Sequence, residues 1–310
     1  MEHIPVLFDP IMEFVKASSP KVFLDATFGR GGHARGIFDH SPEVKIFAMD
    51  QDHEAIQYAQ LHFSKELETE SLVLIHDNFK NIKRHFSELK SKYKIPGFDG
   101  ILVDLGVSSP QLDNAERGFS FYNDGPLDMR MDQRQELTAA DIVNNWSEEE
   151  LVQLFKELGE VFKPYRVAKA IVHDRKEKLF ERTSELSGLI ERIEGWKRKG
   201  HHPATKYFLA LRLEVNKELE IIKQVISDFI ECLNEEGLLM IISFHSLEDR
   251  IIKYSYKDMK SFGEIVNKKV IQEKWEVQKN NPRARSAKLR VFRKKTSQGE
   301  ANEQGKNFSH

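Results

Sequence analysis

Short apolar runs alternate with helix-length segments over the first hundred residues, and this alternation constrains the fold more than any other feature of the chain. Val22–Leu24, Val44–Met49, Leu72–Ile75, Ile101–Val103 and, further on, Leu238–Ile242 are apolar or nearly so throughout. Runs of that kind read as strands buried on both faces. Between the first four lie segments of helix length such as Glu54–Leu67 and Phe79–Lys92. Strand, helix, strand predicts an α/β fold, a mostly parallel sheet covered on both sides, in which ligands bind beyond the carboxyl ends of the strands.

The alternation stops after the fourth strand. From about Gln111 to Val215 no strand pattern is visible, only helical material with start signals. Ser147-Glu148-Glu149-Glu150 has capping-box spacing, and Leu151, Leu154, Phe155 and Leu158 recur at helical intervals behind it. An insertion of about 100 residues is long enough for a core of its own. The expected organisation is therefore a sheet domain in two parts, residues 1–110 and 216–296, interrupted by an all-helical domain over 111–215. Leu219, Ile222, Ile226, Phe229 and Leu233 step by three and four, so a covering helix follows the insertion, and Ala287–Phe292 reads as the last strand. The polar tail 297–310 has a disordered composition.

A hydrophobic share of 40% with 21 Phe supplies a real core, while the mean hydropathy of −0.52 and the lack of a long apolar run argue against a membrane protein. The N-terminus "MEHIPVLFDP" lacks the order of a signal peptide, so a cytoplasmic location is expected. The single cysteine, Cys232, excludes an internal disulfide and a cysteine-rich zinc site, and no metal centre is expected. The net charge of −2 hides an uneven distribution. Arg250 to Lys295 holds fifteen Lys or Arg against four Asp or Glu, so that stretch carries +11 and the rest −13. A basic segment on a near-neutral chain points to a polyanionic partner met by one face. The plain alternative is a solvated surface.

The strongest local motif follows the first strand, "FLDATFGRGGHARG" over 23–36. Gly29, Gly31 and Gly32 allow a tight turn and close approach of a ligand at a helix start. Gly29-x-Gly31-x-x-Ala34, with Asp50 at the end of the second strand, resembles a dinucleotide fingerprint. Asp25-x-x-x-Gly29-x-Gly31 is also the nucleoside loop of enzymes that use S-adenosylmethionine. That ligand has no pyrophosphate and carries a sulfonium, so an acid ahead of the glycines favours it. Other strand ends fit the same ligand. Asp77 and Phe79 follow the third strand, as acceptor and stacking face for adenine, and Asp104 ends the fourth, within reach of the amino-acid end. Phe79 has the alternative of a core aromatic.

The chain closely resembles the bacterial 16S ribosomal RNA (cytosine-N4)-methyltransferase family, RsmH, formerly MraW. The resemblance spans "HIPVL" (3–7), "TFGRGGH" (27–33), "DLGVSSPQLD" (104–113), "ERGFSF" (116–121), "GPLDMRMD" (125–132), "HPAT" (202–205), "ISFHSLEDR" (242–250) and "NPRARSAKLR" (281–290). It implies a class I S-adenosylmethionine-dependent methyltransferase, Rossmann-like, with an inserted helical domain for substrate recognition. It places the donor, S-adenosyl-L-methionine, on Gly31, Gly32, His33, Asp50, Phe79, Asp104 and Gln111. Ala26 and Gln51 stand where the family usually has glycine and arginine. The substrate implied is a decoding-centre (P-site) cytidine of 16S rRNA in the small ribosomal subunit. No membrane partner is implied, and a homodimer is compatible with the sequence.

The exocyclic amine of cytosine is a poor nucleophile, and acceptors holding its N–H groups turn the lone pair toward the methyl group, so positioning supplies most of the catalysis. Ser108, Ser109 and Pro110 occupy the place where amino-methyltransferases carry such acceptors, and they are assigned to the amine. Methylation at C5 needs a thiolate, and Cys232 lies in a helix, so amine methylation fits better. Arg283 and Arg285 in "NPRARS" are offered to phosphates, and Phe119, Phe121 and Tyr122 to a splayed base or to packing. In "SFHSLEDR", Ser246 with Asp249 fits a helix cap and His245 a core histidine. Two other classes stay open on the residues alone: an NAD-dependent dehydrogenase, and an RNA-binding assembly factor with a methyltransferase fold.

Overall fold

A computed structural model of the chain describes residues 5–196, 202–280 and 282–296. The tail 297–310 and the first two residues of "HIPVL" lie outside that range. The chain divides into two compact units, 1–106 with 219–310, and Val107–Glu218.

The first unit is built on seven strands: β1 Val22–Asp25, β2 Lys45–Asp50, β3 Leu72–His76, β4 Phe98–Asp104, β5 Leu233–Ser243, β6 Gly263–Ile265 and β7 Lys288–Lys294. They form one sheet in the order β3-β2-β1-β4-β5-β7-β6. β1 to β5 are parallel, and β7 runs antiparallel to both of its neighbours. The apolar runs read from the sequence form the centre of this sheet, and they are continuous because both faces are buried. Leu24, Phe47, Ile101, Val103, Leu239 and Ile241 point into one core. Phe23, Ile46, Ala48, Leu102, Met240 and Ile242, their chain neighbours, point into the other.

Helices cover each face. On one side α1 Phe8–Ser18, α2 Gly32–His40 and α3 His53–His62 bury Ile11, Val15, Ile37 and Ala59. A five-residue α4, Ser64–Glu68, and then α5, Ile82–Tyr93, follow in the chain, and α5 packs Ile82 and Leu89 on the opposite face.

The second unit holds α6 Ser109–Asp113, α7 Ala139–Asn145, α8 Glu148–Glu157, α9 Tyr165–Asp174, α10 Thr183–Glu194 and α11 Thr205–Val215. The chain then returns to the sheet through α12, Glu218–Cys232, α13, Ser246–Asp258, and α14, Trp275–Asn280. The Ser147–Glu150 capping box opens α8, each side chain serving the other's backbone N–H. Val143, Leu151, Phe155, Ile171, Ile190 and Leu211 meet in the core of this unit.

One stretch of it is not helical. Between Asn114 and Thr138 there is only a single 3-10 turn at Ala115–Arg117 and an isolated bridge from Pro126 to Arg182. There "GPLDMRMD" turns Leu127, Met129 and Met131 inward and Asp128 and Arg130 outward, but Met129 has a positive φ of 65°, so the segment is irregular and not a strand. Isolated backbone bonds, Leu127 N–H to Glu181 C=O and Met129 N–H to Arg117 C=O, are completed by side chains. Arg130 grips Asp128 through two nitrogens, Arg117 Nη2 donates to the carbonyls of Arg130 and Met131, and buried Asn216 binds Met131 N–H and Met129 C=O, each at 2.8 Å. Asn216→Ala would strand two buried backbone groups. It should lower stability by about 2–4 kcal/mol, read as a drop in the urea midpoint with an unchanged slope.

Candidate active site

Three strands of the parallel sheet end in an acid. Asp25 closes β1, Asp50 closes β2 and Asp104 closes β4. Pairing places Asp25 opposite Leu102, two residues short of Asp104 on the neighbouring strand. Asp25 is 2% exposed, and its Oδ1 accepts from Thr27 N–H at 3.3 Å. The Asp50 carboxylate accepts from Gly29 N–H and Asp52 N–H, both at 2.8 Å. Asp104 donates its own N–H to Thr27 Oγ1 at 2.6 Å, but its Oδ1 is shut off from solvent without a hydrogen-bond partner.

Burial raises the proton affinity of all three. The Asp25 carboxyl is pushed to about 7 by burial, against the bond from Thr27, with Asp50 adding a smaller repulsion. Asp50 reaches about 6 through burial, held back by its backbone donors. Asp104 reaches about 8 through burial first, then the charges of Asp25 and Glu248. Glu248 is fully buried in the first turn of α13, where its Oε2 accepts from Phe244 N–H at 2.8 Å. His245 caps α13 with Glu248 as its capping-box partner, and its Nε2 lies 3.1 Å from Glu248 Oε1. The cap read at Ser246 and Asp249 is thus one residue out of step. Asp249 instead forms an ion pair with buried Arg290.

The glycine loop is shaped first by the protein's own residues. Gly31 has a positive φ of 67°, and a Cβ there would meet the rings of Phe28 and Phe63 at 2.5 and 2.6 Å. A Cβ on Gly32 would meet Pro5 Cγ at 2.4 Å. His33 is buried, its Nε2 3.0 Å from Val6 C=O and its ring stacked on Phe8. The segment before α1 therefore lies on the loop. Gly29 N–H fastens the loop to Asp50 and brings β1 and β2 to one place.

The other expected site residues fall as follows. The oxygens of Asp77 are already engaged within the protein. They take hydrogen bonds from Asn78 N–H, Asn81, Arg84 and His85, which tie Asp77 to the start of α5. Burial pushes its carboxyl up, but the bonds from His85, Asn81 and Asn78 together outweigh that and leave it below its ordinary range. Phe79 is partly buried against the core, 6.1 Å from the Phe229 ring. Gln51 Oε1 accepts from Asn78 at 2.6 Å, joining the ends of β2 and β3. Ser108, Ser109, Pro110 and Gln111 belong to the second unit. Ser108 caps α6, with Gln111 Oε1 on Ser108 N–H at 2.8 Å and Gln111 N–H on Ser108 Oγ at 3.4 Å, and Ser109 and Pro110 open the helix. Phe119 is core, Phe121 stacks on His202 at 4.3 Å, and Tyr122 is exposed. Arg285 is exposed, whereas the Arg283 side chain lies outside the described residues. Cys232 ends α12 directly before β5, at the amino edge of the sheet and so at the opposite edge from the acids. Burial pushes its thiol up to about 12, which makes it a poor nucleophile.

Sequence reasoning missed Thr27 and Glu248. The available signal was the spacing His245-x-x-Glu248 behind a strand, which reads as a capping box once His is admitted as a cap. Burial first, and mutual repulsion after it, make this edge costly to ionise, and Asp104 Oδ1 has no donor, so a ligand that brings positive charge and N–H donors suits it. S-adenosylmethionine brings an ammonium and a sulfonium. A dinucleotide would bring two further negative charges and fits poorly.

A sheet of this order with an antiparallel β7, its acids gathered at the carboxyl edge, defines a class I S-adenosylmethionine-dependent methyltransferase. The sequence model of the MraW methylase family matches residues 1–295, and the chain belongs to that family. It is 51% identical to Ribosomal RNA small subunit methyltransferase H of Bdellovibrio bacteriovorus, over 94% of this chain and 87% of that protein. The protein of the same name from Halothermothrix orenii is 41% identical, over 94% and 98%. Among solved structures, an rRNA-methylase from Clostridium thermocellum aligns over 95% of this chain and 98% of its own, at 10% identity and a TM-score of 0.44.

The raised carboxyls set a pH dependence. From about pH 4 to pH 8 the unfolded chain has released protons that folded Asp25, Asp50 and Asp104 retain, so stability without ligand falls as pH rises through that window. Asp104→Asn should flatten the fall and raise the melting temperature at pH 8 above wild type. The same change should weaken S-adenosylmethionine binding at least tenfold by calorimetry.

Proposed function

We propose that this protein transfers a methyl group from S-adenosylmethionine to the exocyclic N4 of a decoding-centre (P-site) cytidine in 16S rRNA of the small ribosomal subunit, in the cytoplasm. The observation that carries the donor half is the buried acidic edge with its unpartnered Asp104 Oδ1. Family membership and the names of the relatives support the substrate half. No helix of the described residues is long and apolar enough to cross a membrane.

Bound donor supplies an electrophilic methyl on a sulfonium. Asp104, with Asp25 and Glu248 behind it, holds the donor's positive charge, and ligand binding lowers their proton affinity in return. Asp50 keeps two backbone donors and still has lone pairs for ribose hydroxyls. Gly31, Gly32, His33, Phe79 and Gln111 complete the donor contacts in this reading. Oxygens of Ser108 and Ser109, preset by the α6 cap and by Pro110, accept the amine N–H groups and aim the nitrogen lone pair. The amine proton becomes acidic only as the new C–N bond forms, so no strong base is needed beforehand. Arg283 and Arg285 contact phosphates.

An assembly factor that binds RNA without transferring methyl has no need of buried acids that repel one another. Labelled S-adenosylmethionine incubated with small subunits lacking the modification should place one methyl on a 16S cytidine, mapped by digestion and mass spectrometry. Label absent from 16S RNA refutes the proposal. Ser109→Ala should lower kcat about tenfold or more while donor binding stays at the wild-type value. Unchanged kcat removes Ser109 from the reaction.

A further inference from the structure

The turn between α8 and α9, with the outer face of α9, carries a patch that folding does not use. Phe162 is 86% exposed and Tyr165 54% exposed. Lys163, Arg166 and Lys169 are exposed beside them, and none of the three makes an ion pair among the described residues. Lys163 Nζ lies 5.5 Å from the centre of the Phe162 ring. From Val161 to His173 the sequence contains no Asp or Glu.

The exposure is not that of a loose loop. Val161 N–H donates to Phe155 C=O at 3.0 Å, Lys206 Nζ donates to Glu160 C=O at 2.8 Å, and Pro164 is buried at the cap of α9. Val167, Ala168 and Ile171 anchor α9 in the core of its unit. Tyr165, Arg166 and Lys169, at i, i+1 and i+4, are then held on the opposite face. A single exposed aromatic needs no explanation. Two of them on a pinned backbone, interleaved with three unpaired cations and no acid, match a partner that is both polyanionic and rich in stackable rings.

We propose that this patch docks ribosomal RNA: Phe162 and Tyr165 stack on unpaired bases, and Lys163, Arg166 and Lys169 contact the flanking phosphates. The inference rests on the reading of small-subunit rRNA as substrate. It is tested on the full-length protein with two variants, Phe162→Ala with Tyr165→Ala, and Lys163→Ala with Arg166→Ala and Lys169→Ala. Binding to small subunits lacking the modification is measured over a range of salt, alongside methyl transfer.

The aromatic variant should bind about tenfold more weakly with an unchanged salt slope. The cation variant should lower the slope of log affinity against log salt by about 2. Both should raise KM for subunits and leave kcat, donor binding and melting temperature near wild type. Photo-crosslinking from benzoylphenylalanine placed at position 162 should label 16S rRNA. Wild-type affinity and slope in both variants overturn the patch, as does a crosslink to a ribosomal protein alone. In those cases methyl transfer by the wild-type protein persists and the proposed function stands. Absence of wild-type transfer to 16S rRNA instead removes the reading on which the patch depends.

Discussion

Strands β1 and β4 lie side by side, and each runs out into a carboxylate that the sheet buries. Parallel pairing sets Asp25 and Asp104 at one edge, Glu248 adds a third charge from α13, and Asp50 a fourth from β2. No side chain of the described residues gives Asp104 Oδ1 a donor. The sheet itself, apolar on both faces, tolerates this repulsion because its stability comes from elsewhere. Burial makes these carboxyls hold protons that a cation can replace, and that preference is what the donor meets.

The geometry around the edge is fixed by ordinary packing. Gly29 N–H on Asp50 and Thr27 Oγ1 on Asp104 N–H tie the loop after β1 to the ends of both flanking strands. Pro5, Phe28 and Phe63 take up the space that side chains at 31 and 32 would fill. Glycines that look reserved for a ligand are thus demanded by the protein, and a site can be stiff before anything binds. In the second unit the same economy appears in polar form, where Asn216, Arg117 and Asp128 hold an irregular segment that belongs to no sheet.

Much of this was legible from residues alone. The five central strands announce themselves because burial on both faces removes polar alternation, and the Ser147–Glu150 cap is local chemistry. Edge strand β6 is only three residues with Glu264 exposed, so it carries no such signature. The segment around Met129 and Met131 alternates in burial but belongs to no strand, because Met129 has a left-handed backbone and isolated bonds to Glu181, Arg117 and Asn216 satisfy the chain without a ladder. Asp77 stood at a strand end like its companions. Only the positions of Arg84 and His85, both in the first turn of α5, decided that its oxygens were taken.

What the sequence by itself determined is the alternation that makes a doubly covered parallel sheet, the long interruption after the fourth strand, and motifs dense enough to mark a methyltransferase family. Those are properties of neighbours along the chain, where periodicity and turn chemistry act directly. Tertiary structure alone decided which acids repel each other, that His245 and not Ser246 caps α13, that His33 turns to Val6, and that Phe162 faces water. Each of these depends on residues far apart in sequence brought to hydrogen-bond distance, or kept from it, by the packing of the sheet and helices around them.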